Sequence, residues 1–501
     1  MHEIGGLVGQ PVEILLNVFK YLDGRDLARC MRVSKTWKYY IDESSATQYA
    51  IRLTKHGYKD SPRAQDGPYS STASRLKAFE DHIKRWGSLD WIEERIRLPE
   101  KSLPWKELAG GILAFSHCKS ITCIKLPSRI CQSPLRTWTH KSDFEILSFT
   151  IDPSQDLLVL VEILDSNGKI SLDMHLRTLS GNTQHPRASG ILSSQDLLDI
   201  DNMRNKFYLR VMGDAVALLG KDARLLIWNW LTGELICDLE ASGFVWIGPR
   251  TILLPWNSHD TSVCGALELY EVGQATRLRK TVVLELPLYY SPKRLGFFLY
   301  DVHANPTPSG CVPFDSSDLW NIHVSICALD YDPAENSPDL VVSVAMLEQY
   351  AHEYLHRDHV ESTPSISWTD WGPHNTCLIH RFARDHPRWC ETRGSRFAWL
   401  DTSKNLSVVD FTPNLIAVRP DLSQSQSPTL GSVGKTESND RSASVIESYE
   451  SPVHPKGTGR PYHEVKRKLA PPLSEPSHIF VDEEHILLFA ADEPVLIVLT
   501  L

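Results

Sequence analysis

The residue types best suited to chemistry stand together at His352-Glu353-Tyr354-Leu355-His356. On a helix, histidines four residues apart share a face, so the two imidazoles could ligate zinc while Glu353 acts as general base. The flanking stretch from Met346 to His359 has helical character. A zinc hydrolase needs a third protein ligand, and none is identifiable: His359 follows by only three residues, and the metzincin glycine and third histidine are absent. With 20 histidines in 501 residues, such a spacing arises readily by chance. The expectation is an exposed polar helix or loop that binds no stoichiometric metal, with a zinc hydrolase as a lesser alternative. No G-x-x-x-x-G-K-[ST] loop, G-x-G-x-x-G turn or G-x-S-x-G elbow occurs, and no two carboxylates are placed together by spacing. The chain is expected to be no enzyme and to use no cofactor.

The elements around this stretch are those of an ordinary globular protein. Length allows two or more domains and a large core, and 42% apolar with 23% charged residues is unexceptional. A formal charge of −10 argues against a nucleic-acid or anionic-membrane partner. No apolar run approaches the ~20 residues of a membrane span. The segment MHEIGGLVGQ lacks the charged and apolar regions of a signal peptide. The ten cysteines include no C-x-x-C pair, so reduced thiols in the cytoplasm or nucleus are expected. Fourteen tryptophans suit a β-rich body with aromatic packing between sheets.

The stretch that organises the chain is 7–42. Pro11 suits a helix start, where its missing N–H costs nothing. Val12 to Leu22 reads as a helix, and Asp23-Gly24 ends it. Glu13, Asn17 and Lys20 form one narrow polar stripe, and apolar residues cover the rest of the circumference. Two short helices follow, at Asp26–Met31 and Ser34–Ile41, with Ser34 placed as an N-cap. Three short helices cannot bury that much apolar surface alone. Part of it must meet the following chain and part another protein.

Pro11-x-Glu13-Ile14-Leu15-x-x-Val18-Phe19-x-Tyr21-Leu22-Asp23, then Asp26-Leu27, then Val33-Ser34-x-x-Trp37, resembles an F-box. Gln10 stands where that family usually has leucine. The resemblance implies docking on a Skp-type adaptor and, through it, a cullin. On the matching positions it implies contact through Pro11, Ile14, Leu15, Val18, Phe19, Leu22, Leu27, Val33 and Trp37. Leu15 and Phe19, four apart and away from the polar stripe, are expected to be its buried anchors.

Residues 46–104 read as a helical linker. Gln48 to Leu53 continues a helical pattern that Gly57 closes, and Leu76, Phe79, Ile83 and Trp86 share one face of a second helix. From about 105 short apolar strands alternate with turns, which points to a sandwich, barrel or propeller. Val211 to Leu239 resembles one WD-repeat blade, with Asp222 and Asn229 near its acidic and amide positions. A propeller-like body of six or seven blades over 105–501 is expected. Residues 420–476 are rich in Ser, Pro, Gly and charge and are expected to be a disordered insertion. Trp368 to Thr376, Arg393 to Phe397 and Val408 to Pro413 are similar to segments of a fungal family in which an F-box precedes a long β-rich region.

The fold class is therefore α+β multidomain: a small all-α F-box at 1–45, the linker, then a large all-β, propeller-like domain. The implied role is a substrate receptor of a Skp–cullin–F-box ubiquitin ligase, with an unknown target protein on the β-rich domain and no nucleic acid or membrane partner. The alternative is an F-box interaction protein that works outside any ligase.

Overall fold

The computed structural model describes residues 11–61, 68–100, 105–166, 169–195, 207–220, 223–256, 265–273, 278–286, 295–300, 312–315, 321–328, 338–355, 363–380, 390–391, 395–400, 405–411, 444–447, 463–469, 476–490 and 493–501.

Five helices come first: α1 Val12–Phe19, α2 Gly24–Cys30, α3 Lys35–Glu43, α4 Ser45–His56 and α5 Thr72–Ser88. Four starts are capped by side chains, each satisfying an amide that the helix leaves unpaired. Asp23, Ser34, Ser44 and Ser71 accept from the amides of Asp26, Trp37, Thr47 and Ser74. Gly57 ends α4 at φ 72°, the left-handed cap that glycine adopts without strain. Helix α1 is shorter than the apolar run suggests. Past Phe19 the chain tightens into i→i+3 bonds, from Tyr21 N to Val18 O and from Leu22 N to Phe19 O, both 3.1 Å.

Among the described residues the strands form eight sheets: a two-stranded pair of Lys59–Asp60 with Phe314–Asp315, and seven that pack as a closed ring of blades. Blade 1 comprises Trp105–Ala109, Ile112–His117, Ser120–Lys125 and Arg136–Lys141. Blade 2 comprises Ser148–Asp152, Leu157–Ser166, Lys169–Thr178 and Leu192–Gln195. Blade 3 comprises Tyr208–Met212, Ala215–Leu219, Arg224–Asn229 and Glu234–Glu240. Blade 4 comprises Val245–Gly248, Thr251–Trp256, Ala266–Val272 and Leu278–Glu285, with Ser365–Ile366 added in parallel. Blade 5 comprises Leu295–Tyr300, Asn321–Ala328, Pro338–Ser343 and Thr376–His380. Blade 6 comprises Arg396–Leu400, Asn405–Asp410, His463–Lys468 and Ser444–Glu447. Blade 7 comprises Pro476–Val481, His485–Ala490 and Val495–Thr500, with Cys390–Glu391 parallel on one side. Its other edge is Ile92–Arg97, a strand from the stretch expected to be helical linker, paired antiparallel with Val495–Thr500. An early strand thus closes the last blade.

Packing between sheets explains the sequence pattern. Leu157, Val159 and Val161 join the strands of blade 3, while Leu158 and Leu160 join those of blade 1. Leu340 and Val342 pack toward blade 4, and Val341 between them toward blade 6. Leu487 and Phe489 meet blade 1, and Ile486 and Leu488 meet blade 6. Successive side chains of a strand point to opposite faces. With both faces covered, these strands are continuous apolar runs with no alternation.

The region expected to be a disordered insertion contains two strands. Ser444–Glu447 and His463–Lys468, inside the 420–476 insertion, are strands of blade 6, where His463–Lys468 pairs with Asn405–Asp410. The rest of that insertion lies outside the described residues, as does Asp222. Cys131, expected to be a reduced thiol, is disulfide-bonded. Spacing along the chain carries no information on pairing between distant positions.

Candidate interaction surface on the N-terminal helices

Helix α1 separates its apolar residues into two rows. Leu15 and Phe19 are 2% and 1% exposed, in a cluster with Leu27 and Ile41. Ile14 and Val18, at i and i+4, form the next row, 45% and 36% exposed, and Tyr21 in the turn just past the helix is 90% exposed. Glu13, Asn17 and Lys20 lie beside them, also exposed. Val33, after α2, and Tyr39, on α3, are both 60% exposed.

The core row is fixed by long-range contacts. The Trp37 ring meets Phe19 edge-on, centroids 5.5 Å apart, while its Nε1 is buried with no hydrogen-bond partner. The Gly24 amide donates to Thr54 Oγ1 at 3.2 Å, so α2 starts directly against α4. A Cβ at Gly24 would sit 2.4 Å from Thr54 Oγ1 and 2.5 Å from the Ala50 carbonyl oxygen, so only glycine allows this approach. Cys30 nearby has its thiol pushed up by burial and then by the Asp26 carboxylate.

The nine residues expected at the interface therefore divide. Pro11, Ile14, Val18 and Val33 are exposed, Leu22 and Trp37 are half-buried, and Leu15, Phe19 and Leu27 lie inside the chain's own helical core. Tyr21, part of the motif but not of the expected contacts, and Tyr39 also belong to the exposed group. The i, i+4, i+7 spacing identifies candidate rows. It does not say which row α2, α3 and α4 cover.

Residues 11–46 match the F-box-like family model. The F-box-like segment is thus the stretch that holds this split. It spans α1 to α3 and the first two residues of α4. No curated protein matches the chain. Among solved structures, the chain is similar to Hsv2 from Kluyvelomyces marxianus, at 10% identity and TM-score 0.38, covering 78% of this chain and 89% of that one. It is similar to the C-terminal WD40 domain of Sif2 at 9% identity and TM-score 0.35, covering 81% and 98%. It is similar to BamB from Moraxella catarrhalis at 10% identity and TM-score 0.33, covering 82% and 100%. Scores this low carry no argument, and the ring stands on its own strand register and packing.

His352 is exposed in the last turn of helix α6, Val344–Leu355, whose Met346, Leu347 and Ala351 pack into the blade 4 cluster. His356 lies outside the described residues. Among the described residues no group of three or more His, Cys, Asp or Glu could hold a metal ion. Also among them, no helix is long and apolar enough to cross a membrane. The Trp368-to-Thr376 segment forms helix α7, Trp368–Asn375, where Trp371 is fully buried and donates from Nε1 to Glu285 O at 2.7 Å. That role is structural: it holds the helical excursion of blade 5 onto blade 4.

Proposed function

We propose that this protein is a non-enzymatic substrate receptor of a Skp–cullin–F-box ubiquitin ligase. The F-box-like segment holds the adaptor, and the ring of blades presents a target protein through its loops, where scaffolds carry recognition. One observation carries this reading. Of the nine large apolar residues exposed among the described residues, five (Ile14, Val18, Tyr21, Val33 and Tyr39) fall within residues 11–46. A soluble chain concentrates exposed apolar side chains where a partner covers them. In this reading the contact is made by Pro11, Ile14, Val18, Tyr21 and Val33, while Leu15, Phe19 and Leu27 shape the helices from inside. The protein then works in the cytoplasm or nucleus, where cullin ligases assemble.

The test is affinity purification of the full chain with mass spectrometry, comparing wild type with Ile14→Asp plus Val18→Asp. A Skp-type adaptor and a cullin should be recovered with wild type and lost with the variant. Adaptor without cullin would instead mark an interaction protein outside any ligase. Recovery of neither with wild type would reject the reading.

A further inference from the structure

Helix α4 is shared between two cores. Ala50 and Ile51 pack with Leu15, Phe19, Leu27 and Ile41, and Thr54 meets Gly24. Its other side carries Tyr49 and Leu53 into a cluster with Tyr58, Phe79, Ile130 and Phe314, and Tyr49 Oη donates to Pro313 O at 2.7 Å. The helix bearing one face of the F-box-like core is therefore also a wall of the junction with the ring.

At the heart of that junction lies a buried cation. Arg396, on the first strand of blade 6, is 4% exposed. Its Nη2 donates to Tyr58 Oη at 2.9 Å, its Nε to Asp410 Oδ2 at 3.1 Å and its Nη1 to Glu483 Oε2 at 3.4 Å. The guanidinium stacks 4.3 Å over the Trp86 ring of α5, and Trp86 Nε1 donates to Glu483 O at 2.9 Å. Tyr58 Oη in turn donates to Glu483 Oε2 at 3.2 Å. Burial opposes the charge, but Tyr58 and the carboxylates of Asp410 and Glu483 more than offset it and hold the guanidinium protonated. Groups from four places meet here: Tyr58 just past the Gly57 cap of α4, Trp86 of α5, Arg396 and Asp410 of blade 6 and Glu483 in the turn of blade 7.

A buried arginine is a poor way to add stability even with half-exposed carboxylates beside it, because its desolvation consumes much of the attraction. What it supplies is direction. A planar fork of donors with fixed acceptors is satisfied in one mutual orientation of the parts that bring them. Apolar packing between the same surfaces would tolerate sliding.

We propose that Arg396 is a positioning residue that locks the F-box-like helices in one orientation on the ring. Its purpose, holding adaptor and target at a set separation, rests on the ligase reading above; the lock itself does not. The surrounding aromatic wedge of Tyr58, Phe79 and Phe314, with centroids 5.1 to 5.7 Å apart, fills the space beside it.

The experiment uses the full chain with noncanonical-amino-acid spin labels at Lys35 on α3 and Lys125 on blade 1, both exposed. Pulsed dipolar spectroscopy reads the distance distribution, and hydrogen exchange of the blade strands reports the ring. Wild type should give one narrow distribution. Arg396→Gln should broaden it while the ring stays protected, and Arg396→Lys, keeping the charge without the fork, should recover it only partly. Tyr58→Phe, which removes a single oxygen, should broaden it less and decides the matter if Arg396→Gln fails to fold. A broad wild-type distribution overturns the proposal. So does a distribution unchanged in both Arg396→Gln and Tyr58→Phe with an intact ring. Adaptor pull-down on the same samples separates the two readings. A narrow distribution without adaptor binding rejects the ligase role alone, and a broad one with adaptor binding rejects the lock alone.

Discussion

Ile14 is 45% exposed on α1, while Leu15, the next residue, is 2% exposed in the cluster that holds Leu27 and Ile41. One turn of helix thus carries a surface residue and a core residue of similar size, and their truncation should have separable effects. Ile14→Ala with Val18→Ala should weaken adaptor binding by on the order of 2–4 kcal/mol, roughly thirty- to a thousandfold, with little change in melting. Leu15→Ala should destabilise the helical layer by about 2–5 kcal/mol through the cavity it leaves, and reduce binding only as a consequence. Calorimetry and adaptor titration on both variants check this. Full binding by the Ile14, Val18 variant would remove that face from the interface.

Gly24 should tolerate no side chain. A methyl there meets Thr54 Oγ1 at 2.4 Å and the Ala50 carbonyl oxygen at 2.5 Å. Gly24→Ala should cost roughly 1–3 kcal/mol as α2 is pushed off α4. Adding Thr54→Ala should recover only part, because the backbone oxygen stays in place. Full recovery in the double variant, measured by denaturant unfolding, would show that the side chain alone sets the approach.

Two buried histidines should shape the pH dependence in opposite directions. His82, on α5, is fully buried, neither ring nitrogen is hydrogen-bonded, and Glu483 Oε2 is 4.0 Å from Nε2. Burial, with Arg396, Arg85 and His56 nearby, holds its pKa well below 6.5. Its folded pKa is depressed, so the native state loses stability as pH falls below about 6.5, where the unfolded imidazole takes a proton. His485 is pushed up to about 9: burial opposes its charge, and Asp482, whose Oδ1 is 2.8 Å from Nδ1, outweighs it. Its contribution is fully present below 6.5 and is lost as pH rises through about 9. His82→Phe should flatten the acid limb of a stability-versus-pH curve, and His485→Gln the alkaline limb. His56, also lowered, to about 4, first by burial, should leave some acid sensitivity in the first variant. Unchanged limbs in both variants would contradict the assignment.

Trp371 should anchor the blade 5 excursion. Trp371→Ala removes a fully buried ring and the bond to Glu285 O, and should cost about 3–5 kcal/mol. Trp371→Phe keeps most of the ring and loses the hydrogen bond, near 1 kcal/mol. Hydrogen exchange should quicken in α6 and α7 ahead of the blades. Uniform loss of protection around the ring would mean that the excursion is part of the global folding unit.

The local chemistry of this chain was legible in its residues. Pro11 starts α1, Ser34 caps α3 and Gly57 ends α4 because each satisfies or omits specific backbone groups, and those needs are met within a few positions. The spacing of Pro11 to Trp37 sufficed for the F-box resemblance, and the rhythm of short apolar runs and turns sufficed for a propeller-like body. The facing of each apolar residue was not legible. Helix α1 is apolar over most of its circumference, and only α2, α3 and α4 decide that Leu15 and Phe19 turn inward while Ile14 and Val18 stay outside. The blade strands are apolar on both faces, so their order, and the closure of blade 7 by Ile92–Arg97, depend on neighbours far along the chain. Arg396 shows the limit most clearly. Its partners Tyr58, Trp86 and Glu483 lie up to hundreds of positions away, and hydrogen-bond geometry between such residues exists only once the ring has closed.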